Sequence, residues 1–313
     1  MNVLSLFDGM SCGQIALNRL GIKYDNYYAS EIDKYAIQVT QKNYPNTKQI
    51  GDVTKIKGED LPKIDLLIGG SPCQGFSFAG KRLNFEDPRS KLFFEYVRLL
   101  NELKPKYFLL ENVKMKKESQ DVISKYLGVE PIKINSNLLS AQNRSRLYWT
   151  NIGVITKNNL FGFTQPGIEQ PPNLGLVIKD ILEEDVDPKY ILSQKIQDRL
   201  QITRDDVIEN PYVGTTKPSF RTIGQRDIVY GHNQKIGCLM ATDYKQPKQI
   251  LNGDKKTVRK ITPVECERFQ TVPENYTEGV SNTRRYQMLG NGWTVDVICH
   301  IFKNLPKVYH GEK

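Results

Sequence analysis

The chain has 313 residues, 39% of them hydrophobic, which is enough for a large domain with a sizeable core and a smaller second domain. No apolar run approaches the length of a membrane span, and the first residues lead into a strand without a basic region. We therefore expect neither a membrane segment nor a signal peptide. The net charge of +9 favours a polyanionic partner without proving one.

The cysteines and histidines argue against two further classes of protein. The five cysteines have neither metal-site nor disulfide spacing, and the three histidines all lie late in the chain. We therefore expect a reducing, cytoplasmic setting and no bound metal ion. The cysteines are Cys12, Cys73, Cys238, Cys266 and Cys299.

The first predicted strand, residues 3–7, runs into a glycine turn, residues 8–13 (Asp-Gly-Met-Ser-Cys-Gly). Residues 14–20 have helical spacing and stop at Gly21. A strand, a glycine turn and a helix make half of a nucleotide-binding βαβ unit. The pattern is a weak signal by itself, because the glycines can equally serve tight packing.

Acidic residues follow the next two predicted strands. Glu31 ends the strand 26–30, and Asp52 lies in a short third strand, 51–53. A carboxylate after the second strand can accept hydrogen bonds from both ribose hydroxyls of a nucleoside, and Asp52 can accept one from an adenine amino group. The plainer alternatives are a residue beside a helix N-cap for Glu31 and an ordinary Asp turn for Asp52. Their occurrence in order after Asp8 favours a nucleoside site.

A cysteine loop follows the next strand. The apolar run 64–68 predicts a buried strand, and the sequence continues as Gly-Gly-Ser-Pro-Cys-Gln-Gly-Phe-Ser-Phe-Ala-Gly. Pro72 fixes its own backbone and biases Ser71 toward an extended conformation, so Cys73 would lie on a stiff turn. That turn would be at the carboxyl end of a parallel strand, where α/β sheets bind ligands. The alternative is the usual fate of a free cysteine, a small buried hydrophobe.

Two polar motifs come next. Ser90 is predicted to cap a helix over 91–103, and the strand 107–110 delivers Glu111-Asn112-Val113 to the same edge as the cysteine loop. Strands at 132–135 and 146–150 flank Gln-Asn-Arg-Ser-Arg, residues 142–146. Arginine presents planar donors that suit a base carbonyl or a phosphate, although two exposed arginines on a hairpin would have the same pattern.

The chain changes character after residue 153. Proline and glycine at 165–172 mark a linker, and residues up to about 260 show little periodicity. Residues 211–262 hold 10 Lys and Arg against three Asp, with aromatic residues interleaved, which suits a nucleic-acid surface. Regularity returns at Thr262, a predicted N-cap followed by Pro263, and the stretch Gly-Asn-Gly-Trp-Thr-Val (290–295) precedes a last helix that reaches about residue 305.

These motifs resemble the cytosine-5 DNA methyltransferases. The Pro-Cys-Gln loop, the Glu-Asn-Val motif and the Gln-x-Arg-x-Arg pattern occur in the family's order, and the resemblance covers 1–150 and 259–305, nearly two-thirds of the chain. Many members carry a second glycine where this chain has Ser11, which crowds the backbone beside the methionine part of the cofactor.

The resemblance implies a doubly wound, mostly parallel α/β sheet of the Rossmann-like class of adenosylmethionine-dependent methyltransferases. The catalytic domain would comprise 1–160 and 283–313, closed by its own C-terminal helix. A small target-recognition domain would be inserted at 161–282.

The implied activity is methyl transfer from S-adenosylmethionine to C5 of a cytosine flipped out of a specific site in double-stranded DNA. Cys73 as thiolate would attack C6, Glu111 would hydrogen-bond N3 and the exocyclic amine, and Arg144 would hold O2. The enzyme would be a monomer that serves restriction-modification, orphan or phage DNA methylation.

The resemblance also implies three sets of site residues. The catalytic set is Cys73, Gln74, Glu111, Asn112, Arg144 and Arg146. The cofactor set is Phe7, Asp8, Gly9, Met10, Ser11, Gly13, Glu31, Ile32, Asp52, Val53, Ser71, Pro72, Asn291, Trp293 and Thr294. The DNA-contacting set is Ser77, Ala79, Lys81, Arg82, Arg89, Arg221, Arg226, Lys235, Lys245 and Lys248.

Three other functions remain open at this point. A transfer RNA cytosine-5 methyltransferase would share the catalytic motifs, but that branch carries Cys-Phe-Thr where this chain has Cys238-Leu239-Met240. An inactive binding module of the family would usually lack the nucleophile or the cofactor residues. A small-molecule methyltransferase would leave the Pro-Cys-Gln loop and the basic region unexplained.

Overall fold

The computed structural model describes residues 1–71, 88–158, 164–217, 224–253 and 257–306. The chain forms two compact units. The first comprises Met1–Asn135, Ser145–Pro171 and Val295–Lys313, and the second comprises Ser136–Arg144 and Pro172–Thr294. These boundaries differ from the expected division into 1–160 with 283–313 and 161–282: segments 136–144 and 283–294 belong to the second unit, and segment 161–171 belongs to the first.

The regular elements are numbered here in chain order, within the residues just given. The strands are β1 (Asn2–Leu6), β2 (Asn26–Ser30), β3 (Lys48–Gln49), β4 (Leu66–Gly70), β5 (Tyr107–Val113), β6 (Ile132–Asn135), β7 (Gln142–Asn143), β8 (Ser145–Thr150), β9 (Val154–Asn158), β10 (Thr164–Pro166), β11 (Gln201–Ile202), β12 (Gly214–Thr215), β13 (Ile228–Tyr230), β14 (Ile236–Gly237), β15 (Gln249–Leu251) and β16 (Val258–Lys260). The helices are α1 (Cys12–Arg19), α2 (Lys34–Asn43), α3 (Pro88–Leu103), α4 (Lys117–Leu127), α5 (Gln194–Gln197), α6 (Pro263–Phe269), α7 (Asn282–Asn291) and α8 (Val295–Phe302).

The first unit is built on a seven-stranded sheet in the order β3-β2-β1-β4-β5-β8-β6. Strands β3, β2, β1, β4 and β5 pair in parallel, and β8 pairs antiparallel with both β5 and β6. The predicted mostly parallel α/β fold is therefore confirmed. The carboxyl ends of β1, β2, β4 and β5 meet at one edge of the sheet.

The core explains why these segments become strands. Val3, Leu4 and Leu6 of β1 are fully buried, which requires cover on both faces of the sheet because successive side chains point to opposite faces. On one face, Leu4 and Leu6 belong to a cluster with Phe93 and Tyr96 of α3. Helices α1 and α8 pack against each other in the same unit.

Three local predictions were wrong in their boundaries. The third strand lies at Lys48–Gln49, because the Asp52 carboxylate accepts hydrogen bonds from the Thr54 amide and hydroxyl and starts a 3₁₀ turn instead. Helix α3 begins at Pro88, a residue suited to the first helical position, so Ser90 lies inside the helix. Strand β5 continues through Val113 and so includes the Glu-Asn-Val motif.

The second unit contains a mixed five-stranded sheet in the order β11-β12-β13-β15-β16, and β7 pairs with β14. The predicted cap of α6 is confirmed. The Thr262 hydroxyl accepts from the Glu265 amide at 3.1 Å, and the Thr262 amide donates back to the Glu265 carboxylate at 2.9 Å. A buried ion pair, Arg259–Glu265, holds the same helix start to β16 at 2.6 Å.

Candidate active site

The turn that leaves β1 is strongly bent. Phe7, Gly9 and Ser11 have φ values of 56°, 59° and 60°, in the left-handed region. The Gly9 amide donates to Glu31 Oε2 at 2.8 Å, which brings the turn to the end of β2. Two of the sequence motifs predicted to bind a cofactor are therefore adjacent in the first unit.

Backbone amides hold the Glu31 carboxylate. Oε1 accepts from the Ile32 amide at 2.7 Å and from the Asp33 amide at 2.8 Å, while Oε2 accepts from Gly9. Each carboxylate oxygen offers two acceptor directions, so one direction, on Oε2, remains for a further donor such as a hydroxyl. Beside it the Ile32 side chain is 76% exposed, an apolar surface next to a fixed acceptor.

Asp8 is turned toward the protein. Its Oδ1 accepts from the Tyr27 hydroxyl at 2.8 Å, and its Oδ2 accepts from the Ser11 hydroxyl. Burial of the carboxylate raises the pKa of Asp8 to about 6. The expected contact between Asp8 and a ligand is thus replaced by hydrogen bonds that hold the turn.

The other predicted cofactor residues of the first unit divide by burial. Met10, Ser11 and Val53 are buried, so their side chains pack the turn instead of forming a binding surface, and Gly13 is buried in α1. Asp52 remains at the surface, where hydrogen bonds from Thr54 hold the pKa of its carboxyl below the ordinary value. Phe7 is partly buried and packs against the core.

An ion pair lies at the end of β5. Arg146 Nε is 2.9 Å from Glu111 Oε1, and both side chains are largely buried. Glu111 is paired in register with Tyr148 of β8, so Arg146, two residues earlier, lies on the same face of the sheet. The carboxylate and the guanidinium fork thus form one polar group at the edge that also carries Glu31.

Asn112 supports the start of the cysteine loop. Its amide Nδ2 donates to the Ser71 carbonyl at 3.3 Å and to the Ser71 hydroxyl at 3.2 Å, and both residues are buried. This contact joins the ends of β4 and β5 two residues before Cys73. Asn112 was expected to be catalytic and Ser71 to bind the cofactor, and in the structure these two residues bond to each other.

Several predicted residues lie outside the described residues: Pro72, Cys73, Gln74, Ser77, Ala79, Lys81, Arg82 and Arg221. Arg89 lies in the first turn of α3, and Arg226 lies in a 3₁₀ turn, Gln225–Asp227.

Arg144 does not join Glu111 and Arg146 within the first unit. It belongs to the second unit, is 4% exposed, and donates to the carbonyls of Leu239, Gly290 and Gly292 at 2.8, 3.1 and 2.9 Å. A fourth contact reaches Cys238 Sγ at 3.3 Å. Its donors therefore serve backbone acceptors, which corrects the expectation that Arg144 holds a cytosine carbonyl.

The loop after α7 is anchored by a glutamine that the sequence analysis missed. Gln270 Nε2 donates to the carbonyls of Leu289 and Gly292, and Gln270 Oε1 accepts from the Thr294 hydroxyl at 2.8 Å. Asn291 is exposed and Trp293 is half-buried, whereas Thr294 is buried. Gln270 directly follows helix α6, whose start was predicted, but the sequence did not indicate its hydrogen-bond partners.

The candidate DNA-contacting lysines differ in exposure. Lys235 is buried, and its ammonium donates to the carbonyls of Asn137, Ser140 and Leu176, with burial lowering its pKa. Lys248 is 9% exposed and lies 3.6 Å from Asp243. Both assignments as DNA contacts are corrected, because these groups are already partnered inside the unit. Lys245 is exposed.

The described part of the chain was searched for membrane-spanning helices and for metal-binding groups of side chains. No helix there is long and apolar enough to cross a membrane. No group of three or more His, Cys, Asp and Glu residues in those ranges lies together in a way that would hold a metal ion.

A parallel sheet with a glycine turn after β1, an amide-held carboxylate after β2 and a carboxylate–guanidinium pair after β5 defines a Rossmann-like α/β enzyme. The family model described as "C-5 cytosine-specific DNA methylase" matches residues 1–307, and the chain belongs to this family. It is a DNA cytosine-5 methyltransferase.

The chain is 34% identical to the type II methyltransferase M1.ScrFI of Lactococcus lactis subsp. cremoris, over 99% of this chain and 79% of that one. It is 28% identical to the orphan methyltransferase M.SPRI of Bacillus phage SPR, over 99% and 98%. Among solved structures, the S. pombe Dnmt2 methyltransferase aligns with a TM-score of 0.72 at 20% identity, covering both chains completely, which shows the shared fold.

Proposed function

We propose that this enzyme transfers a methyl group from S-adenosylmethionine to C5 of a cytosine flipped out of double-stranded DNA. The Glu111–Arg146 ion pair carries the proposal, because it places a carboxylate and a guanidinium, groups that can hydrogen-bond a cytosine, at the sheet edge that also holds the Glu31 carboxylate. A flipped base is required, since an intrahelical cytosine does not admit a nucleophile and a methyl donor at once.

The residues after β1 and β2 fit the adenosine part of the cofactor. Glu31 Oε2 has an acceptor direction left for a ribose hydroxyl, and the exposed Ile32 side chain offers an apolar surface for adenine. Asp52 would accept from the adenine amino group. Adenosylmethionine supplies the electrophilic methyl group. Asn291, Trp293 and Thr294 remain proposed contacts.

The target cytosine needs covalent activation, because C5 is a poor nucleophile. Attack of the Cys73 thiolate on C6 makes an enamine whose C5 accepts the methyl group, and loss of the C5 proton then frees Cys73. Glu111 would accept a hydrogen bond from the exocyclic amine and, carrying a proton gained when the base binds, would donate that proton to N3 as C6 is attacked. We assign the O2 contact to Arg146, because Arg146 lies beside Glu111 whereas the Arg144 donors serve backbone carbonyls.

The remaining cysteines are poor candidates for this attack. Cys12, Cys266 and Cys299 are buried. Burial raises the pKa of Cys266 well above its ordinary value and that of Cys299 to about 11, so these two thiols stay protonated at neutral pH. Cys238 is partly exposed and serves as a natural control.

Site recognition is assigned to the second unit. Residues 211–262 carry the excess of basic residues, and the Arg204 guanidinium lies 3.9 Å from the centre of the Tyr212 ring. Exposed cations of this kind contact phosphates, while base edges specify the sequence. We propose a monomer with a specific duplex target, in restriction-modification, orphan or phage methylation, as its relatives' names suggest.

DNA that contains 5-fluorocytosine tests the mechanism, because fluorine cannot leave as a cation and the covalent adduct persists. With adenosylmethionine present, the wild type and Cys238→Ser should form an adduct that survives denaturing electrophoresis. Cys73→Ser should form none and should not methylate. Near-normal methylation by Cys73→Ser would refute the mechanism. Bisulfite sequencing of DNA from expressing cells would identify the target site.

A further inference from the structure

The turn between β1 and α1 contains two residues other than glycine in the left-handed region, Phe7 and Ser11. Residues with a Cβ adopt this conformation only at a cost, so contacts around the turn must compensate. Ser11 is fully buried and immediately precedes α1, but it makes no side-chain cap to that helix. Its hydroxyl instead donates to the Asp8 carboxylate.

Asp8 is the centre of a hydrogen-bond network that joins β1, β2 and α2. Its carboxylate accepts from the hydroxyls of Tyr27 and Ser11. Thr40 of α2 lies 3.4 Å from both the Gly9 carbonyl and the Ser11 hydroxyl. Ser5 is a further neutral donor to Asp8, and Glu31 is the charged group that acts on it.

We infer that Asp8 is a positioning residue for the cofactor, whose ionised carboxylate holds the turn 7–11 in its binding shape and whose protonation weakens cofactor binding. The inference rests on the proposed adenosylmethionine site. It assigns Asp8 no direct contact with the cofactor, because both of its oxygens face protein hydroxyls.

Protonation should weaken the turn because the Asp8 carboxylate is held by hydrogen bonds that it accepts from hydroxyls. An ionised carboxylate accepts only, which matches its hydroxyl donors, and such charge-assisted bonds are the stronger kind. A protonated carboxyl is neutral, so its bonds to the hydroxyls lose their charge assistance and one of them must reverse with the carboxyl donating, which weakens the constraint on the turn. The amide of Gly9, which donates to Glu31, belongs to the same turn. The change falls in an accessible range, since burial raises the pKa of Asp8 to about 6.

Calorimetric titration of the full-length enzyme with adenosylmethionine between pH 5 and pH 8 tests the inference. Affinity should fall as pH decreases through about 6, by up to about tenfold at pH 5, because the ionised fraction falls tenfold per unit below the pKa. Asp8→Asn should remove this pH dependence, so that the affinity no longer has a midpoint near pH 6. Tyr27→Phe and Ser11→Ala should move it upward, because each deletes a hydrogen bond that favours the ionised form. Tyr28→Phe, the next residue of β2, should leave it unchanged.

S-adenosylhomocysteine separates a positioning role from direct charge attraction, because it lacks the sulfonium charge. Positioning predicts the same midpoint for both ligands, and a pH-independent affinity for S-adenosylhomocysteine would overturn the inference. An unchanged midpoint in both Asp8→Asn and Tyr27→Phe would also overturn it. If the proposed cofactor site were itself wrong, the result would be different: Glu31→Ala would bind adenosylmethionine with wild-type affinity.

Discussion

Arg146 contacts Glu111 across β5 and β8, with Nε 2.9 Å from Oε1, although the two residues are 35 positions apart in the chain. Arg144, two residues before Arg146, belongs to the other compact unit and binds backbone carbonyls there. These two arginines of one motif therefore have different partners, a carboxylate for Arg146 and backbone carbonyls for Arg144.

This division predicts opposite effects for the two arginines. Arg146→Ala should reduce the methylation rate constant by about 10²–10³, the usual effect of removing a preorganised donor, while the folded state persists. Arg144→Ala should instead lower the free energy of unfolding by at least about 2 kcal/mol, since it leaves buried carbonyls without donors. Single-turnover kinetics and urea unfolding on both variants measure the two effects. The reverse pattern would return the O2 contact to Arg144.

Glu31→Ala should weaken adenosylmethionine binding by roughly ten- to a hundredfold, since a hydrogen bond to a charged acceptor contributes about 1.5–3 kcal/mol. Asp33→Ala is the matched control. Its side chain accepts from the Tyr35 amide as the N-cap of α2, so its loss should cost about 1 kcal/mol of stability and leave affinity within twofold. Calorimetry would decide, and equal affinities in wild type and Glu31→Ala would remove Glu31 from the site.

Gly290→Ala should destabilise the second unit severely. A methyl group there would lie 2.1 Å from the Met240 carbonyl carbon and 2.3 Å from the Ala241 nitrogen, and backbone atoms cannot move aside as a flexible side chain can. We expect a loss of about 3 kcal/mol or more in the free energy of unfolding. Gly253→Ala, where a methyl group meets no atom of the described residues within 4 Å, should change it by less than about 1 kcal/mol. Similar unfolding midpoints for the two variants would contradict the close packing described.

Lys235→Met should lower stability by about 1–3 kcal/mol, because it leaves three carbonyls without their ammonium donor. It should not change how DNA affinity depends on salt. Lys245→Ala should do the reverse, reducing the slope of log affinity against log salt by about 1 with little loss of stability. Fluorescence anisotropy at several salt concentrations measures the slope. A reduced slope in Lys235→Met would restore that lysine as a phosphate contact.

Asp8 should make stability fall as pH rises. Its pKa is about 6 in the folded protein against an ordinary value of 3.8, so the folded state binds the proton more tightly. Stability from this group is therefore greatest below about pH 4 and is lost progressively up to about pH 6. Asp8→Asn should lose less stability than wild type between pH 4.5 and pH 7. Urea unfolding measures the free energy of unfolding of both proteins at the two pH values. The same change between pH 4.5 and pH 7 in Asp8→Asn and in the wild type would contradict this.

The motif order and the class of fold could be predicted from the sequence because they depend on local patterns. The apolar runs at 3–7, 64–68 and 107–110 became β1, β4 and β5, and the cap at Thr262 formed as predicted. Since parallel strands place their carboxyl ends at one edge, the sequence also determined that Glu31 and Glu111 lie at the same edge of the sheet.

Only the tertiary structure decided which polar side chains face a site and which face the protein. The sequence led us to expect Lys235 to contact DNA and Arg144 to hold the cytosine carbonyl, yet both are buried among carbonyls from distant segments. Asp8 looked like a ligand contact, yet its partner Tyr27 comes from the neighbouring strand. The reason is that a charge pattern along the chain records the type of side chain, whereas burial and hydrogen-bond partners arise between residues that only folding brings together.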